Sequence, residues 1–304
     1  MKIDLIYTWV DGADTEWQKK RAHYQGVLHP ESAVTGRYFD NEELKYSLRS
    51  VEKYAPWINH IFIVTDNQKP AWLNTRHEKI TIVDHRDIID HQYLPVFNSD
   101  VLEWFLHRIE GLSEYYLYAN DDMFFGHDNT PSDFFDSEGM PIEYVMKYEE
   151  PRDNLWGRSA KATYRLAIEK TGKKPVFSPG HVIDPYRKTF VEEAFYLIWP
   201  EIEQTCHNRF RSENDIKRFF VSLYDHACGR RELVYGNRNI FESFFRTFRA
   251  VHLSGRYERN LKKLRSKKYK LFCINDVEYT TDERRIRAKA FLEEYFPEKS
   301  GFEA

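Results

Sequence analysis

Short apolar segments rich in β-branched and aromatic residues recur through the first 125 residues of the chain. Such segments are typical of buried strands. They alternate with amphipathic stretches, so that the element order is strand, helix, strand, strand, helix, strand. This order predicts an α/β fold with a mostly parallel sheet flanked by helices. The predicted strands are residues 3–10, 61–65, 80–83 and 115–119.

Both predicted helices in this part of the chain have recognisable start and stop signals. The first begins after Asp40 as the capping residue, has Glu43 as its capping-box partner, and ends before Pro56. The second begins after Asn98 and stops at Gly111. Their apolar residues recur at three- and four-residue spacing, as expected for helices that pack one face on a sheet.

Beyond residue 126 the alternation stops, and a mainly helical insertion or lid is predicted over residues 127–255. Its expected helices lie near 158–170, from Asp184 with Pro185 at the first position, and from Ser212 with Asp215 as capping-box partner. Residues 256–304 hold a basic stretch and a last helix near Thr280. The chain is therefore divided into three predicted parts: 1–126, 127–255 and 256–304.

Composition restricts the classes of function. Lys and Arg number 45 against 48 Asp and Glu, a net charge of −3, which gives no global positive field for nucleic acid. Apolar runs are too short for a membrane span, and the first residues lack the features of a signal peptide. The three cysteines form no CxxC pair. These features predict a cytoplasmic globular protein without a disulfide framework or a cysteine zinc site.

The sharpest local signal is Asn120-Asp121-Asp122, directly after the strand at 115–119. In open α/β sheets ligands bind beyond the carboxyl ends of the strands. Two adjacent carboxylates at such an end suit a hard divalent cation, Mg²⁺ or Mn²⁺, that bridges phosphate oxygens. The alternative is an Asp-rich turn that only caps a strand.

A second signal is the segment from Tyr7 to Gly12 at the end of the first strand. Gly12 permits a tight turn whose amides approach a ligand, and Asp11 is suited to accept from a ribose or base donor. An Asp-Gly pair after a strand is equally typical of an ordinary turn.

Isolated polar residues in the later chain give weaker signals. His181 is expected just before a helix N-terminus, where it could face a cleft, although most histidines are structural or exposed. Arg211 is of the type that contacts phosphate. Asp215 has a capping role as its simplest interpretation. Asn275 and Asp276 end a short apolar run, where they could complete a metal or phosphate site or form only a turn.

The stretch 256–270 holds eight basic side chains against one acidic side chain. Such a density predicts contact with a polyanionic acceptor or with the acidic surface of the inner membrane. A solvated helix face is the alternative. Walker A, GxGxxG, GxSxG and HExxH motifs do not occur in the sequence, so P-loop, dinucleotide, serine-hydrolase and zincin classes have no support.

These pieces occur in an order that resembles the Stealth family. IDLIYTWVDG at 3–12 resembles its first conserved region, and the segment 37–126 resembles its long second region. GHVIDPYRK at 180–188 with FRSEND at 210–215 is similar to the third, and FCINDVEYTT at the start of 272–303 to the fourth. The resemblance covers nearly the whole chain.

The resemblance implies a GT-A-like fold and a sugar-1-phosphate transferase. The expected donor is a nucleotide sugar, with UDP as the nucleotide, and the expected acceptor is a hydroxyl of a glycan or lipid-linked glycan. The reaction forms a phosphodiester and releases the nucleoside monophosphate. Two alternatives remain open: a metal-dependent glycosyltransferase that releases the nucleoside diphosphate, and a non-catalytic protein of polysaccharide assembly.

The resemblance also implies roles for individual residues. Asp121 and Asp122, with Asp276, would hold the cation; Arg211 would hold the transferred phosphate; His181 would be the general base, with Asp215 as the next candidate. The remaining family positions are expected to shape the donor pocket: Asp11, Arg37, Asp40, Asn41, Arg49, Asn98 and Asn275.

Overall fold

The computed structural model describes residues 1–26, 38, 40–236, 248–277 and 280–304. In chain order the strands of these ranges are β1 Ile3–Thr8, β2 Ile61–Thr65, β3 Ile80–Asp84, β4 Tyr115–Asn120, β5 Met123–Phe125, β6 Ile142–Lys147, β7 Phe177–Pro179, β8 Asp184–Arg187, β9 Glu232–Tyr235, β10 Phe248–His252 and β11 Leu271–Asn275. The helices are α1 Thr15–Tyr24, α2 Glu43–Tyr54, α3 His85–Ile88, α4 Ser99–Phe105, α5 Leu155–Thr171, α6 Lys188–Leu197, α7 Trp199–Cys206, α8 Phe220–Ala227, α9 Tyr257–Ser266 and α10 Asp282–Tyr295.

The largest sheet has five strands in the order β3-β2-β1-β4-β8. All neighbours in it are parallel except β4 and β8. Successive residues of β1 face two separate cores, because Ile6 packs on one side of the sheet while Leu5 and Tyr7 pack on the other. The predicted mostly parallel sheet flanked by helices is therefore confirmed, and its first four strands lie where the apolar segments placed them.

Two smaller sheets complete the fold. One has the order β10-β11-β5, and the other has the order β7-β6-β9. Strand β5 begins only two residues after β4, yet it pairs antiparallel with β11 rather than continuing the large sheet. The connection Asp121–Asp122 therefore joins two sheets. None of the helices in the described ranges is long and apolar enough to cross a membrane.

The predicted starts of α2 and α4 differ in accuracy. Asn98 caps α4 as expected, since its side chain accepts from the Asp100 amide at 3.1 Å. In α2 the helix begins later, because Glu42 has a left-handed φ of 64° and Asp40 accepts from the Glu42 amide. Asp40 thus closes the turn before the helix instead of capping the helix itself.

The helix predicted from Asp184 is wrong at its start. Residues Asp184–Arg187 form β8, antiparallel to β4, and the helix begins only at Lys188. Pro185 at this position is compatible with a strand at the edge of a sheet, where an amide donor is dispensable. As a result His181 precedes a strand, and the expected helix N-terminus beside it is absent.

The helix predicted from Ser212 is also wrong at its start, since α8 begins at Phe220. Asp215 accepts from the Ser212 amide at 2.7 Å and binds the side chains of Asn98 and Asn208. These side-chain bonds hold a turn in place of helix. The region 127–255 is not helical alone, because it includes β6 to β10, and β8 belongs to the large sheet.

The end of the chain is clamped onto α2. Arg49 donates from Nε and Nη2 to both carboxylate oxygens of Glu303, at 2.7 and 2.8 Å, and from Nη1 to the Phe296 carbonyl. The two side chains are 10% and 3% exposed. Such a bidentate, desolvated pair fully occupies the guanidinium. Arg49, expected in the donor pocket, is placed here in a structural ion pair.

Removing this pair should destabilise the fold. The variant Glu303→Ala leaves the buried Arg49 charge without its partner, and we expect the free energy of unfolding to fall by about 3 kcal/mol. Urea unfolding measures it, with the exposed Glu298→Ala as matched control. If Glu303→Ala unfolds like the control but binds a nucleotide sugar more weakly, the result would contradict the structural role and support a role of Arg49 in donor binding.

Candidate active site

The Asp121–Asp122 connection lies where the carboxyl ends of β1 and β4 meet. Thr8 and Asn120 are partners in the register of these strands. Beyond them, the Asp122 carbonyl accepts from the Ile274 amide at 3.0 Å, and Met123 pairs with Cys273. Hydrogen bonds to two different sheets therefore fix the backbone on both sides of the carboxylate pair.

Asp122 faces the β11 side of the site. Its Oδ2 accepts from the Cys273 thiol at 3.2 Å, while its Oδ1 is buried and has no hydrogen-bond partner. A ring nitrogen of His181 lies within 4.8 Å of both the carboxylate and the thiol. Burial raises the pKa of Asp122, and the nearby His181 opposes that rise.

Asp121 belongs to a wider group of acidic side chains. Burial raises its pKa well above the ordinary value, and the carboxylates of Asp122, Glu43 and Asp40 add to the rise. Burial likewise raises the pKa of Glu43 to about 8. Side chains from the N-terminal turn of α2 and from the end of β4 thus converge as a group in which mutual repulsion opposes full ionisation.

This group fits a hard divalent cation. Carboxylate oxygens are the ligands that Mg²⁺ and Mn²⁺ prefer, and a cation would relieve the repulsion that adds to the effect of burial on these pKa values. The buried, unpartnered Oδ1 of Asp122 is an oxygen that lacks a donor and is suited to a ligand. Asp121 and Asp122 are the residues that would hold the cation.

Two histidines flank the carboxylates. His181 has a left-handed φ of 49° and follows Gly180, where a Cβ would lie 2.2 Å from the Tyr144 carbonyl oxygen. His252, at the end of β10, lies with its Nδ1 3.4 Å from Nδ2 of Asn275. Burial lowers the pKa of His252, and the neighbouring His181 lowers it further. Asn275 therefore lies beside His252, next to the carboxylates.

Arg211 lies on the other side of β4, at the start of α4. Its guanidinium donates to the Ser99 hydroxyl at 2.7 Å. The charges of Asp100 and Glu103 lie close enough to favour its ionised form, although burial opposes them. The hydroxyl of Tyr118 also lies near Arg211 and donates to Asn120 at 2.8 Å. The structure thus places Arg211 beside the first turn of α4.

Several expected site residues are engaged elsewhere. Asp276 accepts from Arg285 Nε at 2.7 Å, although its Oδ1 is buried without a hydrogen-bond partner. Asn41 donates to the Arg285 carbonyl at 3.0 Å and so connects the turn before α2 to α10. Asn98 and Asp215 bind each other at 2.9 Å inside the protein. These contacts give each residue a structural role.

The turn that follows β1 is stabilised mainly by hydrogen bonds within the protein. Gly12 donates its amide to the Tyr38 carbonyl at 2.8 Å, and a Cβ on Gly12 would lie 2.1 Å from that oxygen. Close chain approach therefore requires the glycine. Asp11 accepts from the Ala13 amide and lies near enough to Asp40 to raise the pKa of that carboxyl, although burial is the larger cause. Arg37 lies outside the described residues.

The sequence did not single out three residues of this site: Glu43, His252 and Cys273. The sequence predicts Glu43 only as a capping-box partner of Asp40, whereas in the structure its carboxylate accepts from the Asn41 amide at 2.7 Å. The other two join the site because β10 and β11 pair with each other and with β5. The short apolar run that ends at Asn275 was the only signal for that pairing.

The raised pKa of Glu43 has a consequence for stability. The folded protein retains this proton up to about pH 8, whereas the unfolded chain loses it near 4.5. Stability should therefore decrease as pH rises from about 4.5 to about 8. We expect the free energy of unfolding to decrease less with pH in Glu43→Gln than in the wild type. Urea unfolding with a chelator present measures it. The exposed Glu110→Gln is the control and should keep the wild-type decrease. An unchanged pH slope in Glu43→Gln would contradict the buried, protonated carboxyl.

Comparison with known proteins supplies the family. The description "Stealth protein CR1, conserved region 1" matches residues 1–26, and "Stealth protein CR2, conserved region 2" matches residues 37–143. A solved galactosyltransferase in complex with donor and acceptor sugar analogs is 10% identical, with a TM-score of 0.49 over 98% of this chain and 96% of that one. That likeness is too distant to bear on activity.

Three curated relatives are similar over most of the chain. An exopolysaccharide phosphotransferase of Streptomyces coelicolor is 38% identical over 99% of this chain. This chain spans about half of the length of that relative (52%). A capsular polysaccharide phosphotransferase of Haemophilus influenzae is 34% identical over 90% of this chain and 78% of its own. A receptor polysaccharide phosphotransferase of Streptococcus oralis is 30% identical over 99% of both chains. The chain belongs to the Stealth family.

Proposed function

We propose that the chain is a sugar-1-phosphate transferase. It moves hexose 1-phosphate or N-acetylhexosamine 1-phosphate from a nucleotide sugar, with UDP as the expected nucleotide, to a hydroxyl of a glycan or lipid-linked glycan. The product is a phosphodiester of a capsule or cell-surface polysaccharide. The observation that carries the proposal is the convergence of Asp121, Asp122 and His181 beyond the carboxyl end of β4, in a chain whose relatives are named polysaccharide phosphotransferases.

The chemistry is a transfer at phosphorus. The acceptor oxygen forms a bond to the sugar-bearing phosphorus, the bond from that phosphorus to the nucleoside monophosphate oxygen breaks, and the hydroxyl proton leaves to a base. His181 is the proposed base, because its ring is solvent-accessible and lies beside Asp122. Arg211 is proposed to bind the transferred phosphate. A bound Mg²⁺ or Mn²⁺ would supply charge neutralisation at the diphosphate.

The three predicted parts of the chain remain part of this proposal. Residues 1–126 supply the carboxylates, residues 127–255 supply His181, Arg211 and His252, and residues 256–304 supply Cys273 and Asn275. A base and a phosphate-binding arginine thus come from a different part of the chain than the cation ligands. A lid role is proposed only for the segments of 127–255 that lie outside the sheets, because β8 already holds His181 beside Asp122.

The nucleotide that leaves decides between the proposed function and its alternatives. Purified protein is mixed with a panel of nucleotide sugars, a glycan acceptor, and Mg²⁺ or Mn²⁺, and the released nucleotide is identified by chromatography. Nucleoside monophosphate with a new phosphodiester supports the proposal. Nucleoside diphosphate indicates a glycosyltransferase, and absence of release with every donor indicates a non-catalytic protein of polysaccharide assembly.

The base role of His181 has a measurable consequence. We expect His181→Ala to lower kcat by roughly 10²–10⁴-fold, the range for a positioned base. The KM for the nucleotide sugar should change little, because a base that acts on the acceptor does not hold the donor. The exposed His207→Ala, at the end of α7, is the matched control. Near-wild-type turnover in His181→Ala would move the role to His252, the other histidine beside Asp122.

The basic stretch forms α9 and its flanks. Leu261 and Leu264 are buried on one side of α9, whereas Lys262 on the helix and Lys268 just beyond its end form an exposed basic face. We propose that this face binds anionic polymer or the acidic membrane surface. Charge reversal at Lys262 and Lys268 should weaken binding to vesicles with anionic lipid, most at low salt. Reversal at Lys69 and Lys174 is the control, and equal binding by both pairs indicates a solvated face.

A further inference from the structure

The donor set around Asp122 differs from the carboxylate group on its other side. Asp122, His181 and Cys273 each offer a ligand atom, and these atoms lie within 4.8 Å of one another. They come from the β4–β5 connection, the segment before β8, and β11. An oxygen, a nitrogen and a sulfur together are the ligands of Zn²⁺ and similar borderline-soft cations, not of Mg²⁺.

The spacing of these atoms supports chelation. In a tetrahedral zinc site, bond lengths near 2.0 Å to oxygen and 2.3 Å to sulfur put the two ligand atoms about 3.5 Å apart. The Cys273 sulfur and Asp122 Oδ2 lie 3.2 Å apart with only a proton between them. The pair is therefore almost at chelating distance, and His181 supplies a third ligand atom within 4.8 Å of both.

Two further observations indicate a ligand here. Asp122 retains a buried Oδ1 without a hydrogen-bond partner, an arrangement that is costly unless a ligand occupies it. His181 has a positive φ that non-glycine residues rarely adopt, and this conformation brings its ring to the thiol and the carboxylate. The strain and the orphan oxygen are thus located in the same three residues.

We propose that Asp122, His181 and Cys273 form a Zn²⁺ site. On binding, Zn²⁺ replaces the thiol proton, which passes to solvent, and the sulfur, nitrogen and oxygen atoms displace waters from the hydrated cation. Zn²⁺ inhibits the enzyme, because the ring nitrogen that binds the cation can no longer accept the acceptor proton. This inhibitory consequence rests on the proposed function; the binding site itself does not.

Cobalt reports the site without any measurement of activity. Co²⁺ takes the same ligands as Zn²⁺, and a Co²⁺–thiolate bond gives an intense near-ultraviolet absorption band. We expect the wild type to show this band and Zn²⁺ to abolish it. Cys273→Ser should lack the band, while Cys206→Ser and Cys228→Ser, at a buried and an exposed cysteine, should keep it. A band that persists in Cys273→Ser overturns the site.

A second variant covers the case in which the buried Cys273 position does not tolerate serine. His181 is solvent-accessible, so His181→Ala should fold normally, and calorimetry should show Zn²⁺ binding at least about 100-fold weaker than in wild type. Equal affinity overturns the proposal. Inhibition is then measured as loss of monophosphate release in excess Mg²⁺. Zinc binding without inhibition refutes the inhibitory role alone, whereas absence of release with every donor refutes the proposed function alone.

Discussion

Two adjacent carboxylates form the entire connection between β4 and β5, and these strands belong to different sheets. The chain cannot relax this turn, because Asn120 is held in register with β1 and Met123 is held in register with β11. Asp121 and Asp122 are therefore fixed in a partly buried place where charge is unfavourable. Every other feature of the site is arranged around that constraint.

The protein compensates for the constraint only in part. A thiol proton and a nearby histidine favour the charged form of Asp122, yet one of its oxygens stays without a partner. Asp121 has further carboxylates as neighbours, and burial keeps the pKa of each raised. Burial and mutual repulsion thus oppose the ionisation of these carboxylates in the free protein, and a bound cation would favour it.

The histidines show how later segments reach this point. β8 adds to the edge of the large sheet beside β4, which brings His181 up to the carboxylates. β10 and β11 do the same for His252 and Cys273 through the small sheet. Arg49 and Glu303 lock the end of the chain onto α2, the helix that supplies Glu43. The site is thus assembled by strand pairing between segments far apart in sequence.

The sequence by itself determined the parallel half of the fold and the carboxylate pair, because apolar segments of strand length and an acidic doublet at a strand end are local signals. The family resemblance also singled out Asn275 and His181, which lie beside His252 and Asp122 respectively. Local signals misled at Asp184 and Ser212, where proline and capping residues serve an edge strand and a turn as readily as a helix. Only the tertiary structure decided that Cys273 and His252 join the carboxylates while Arg49 is an ion-pair partner of Glu303, since pairing between distant strands and burial of charge depend on the packed whole.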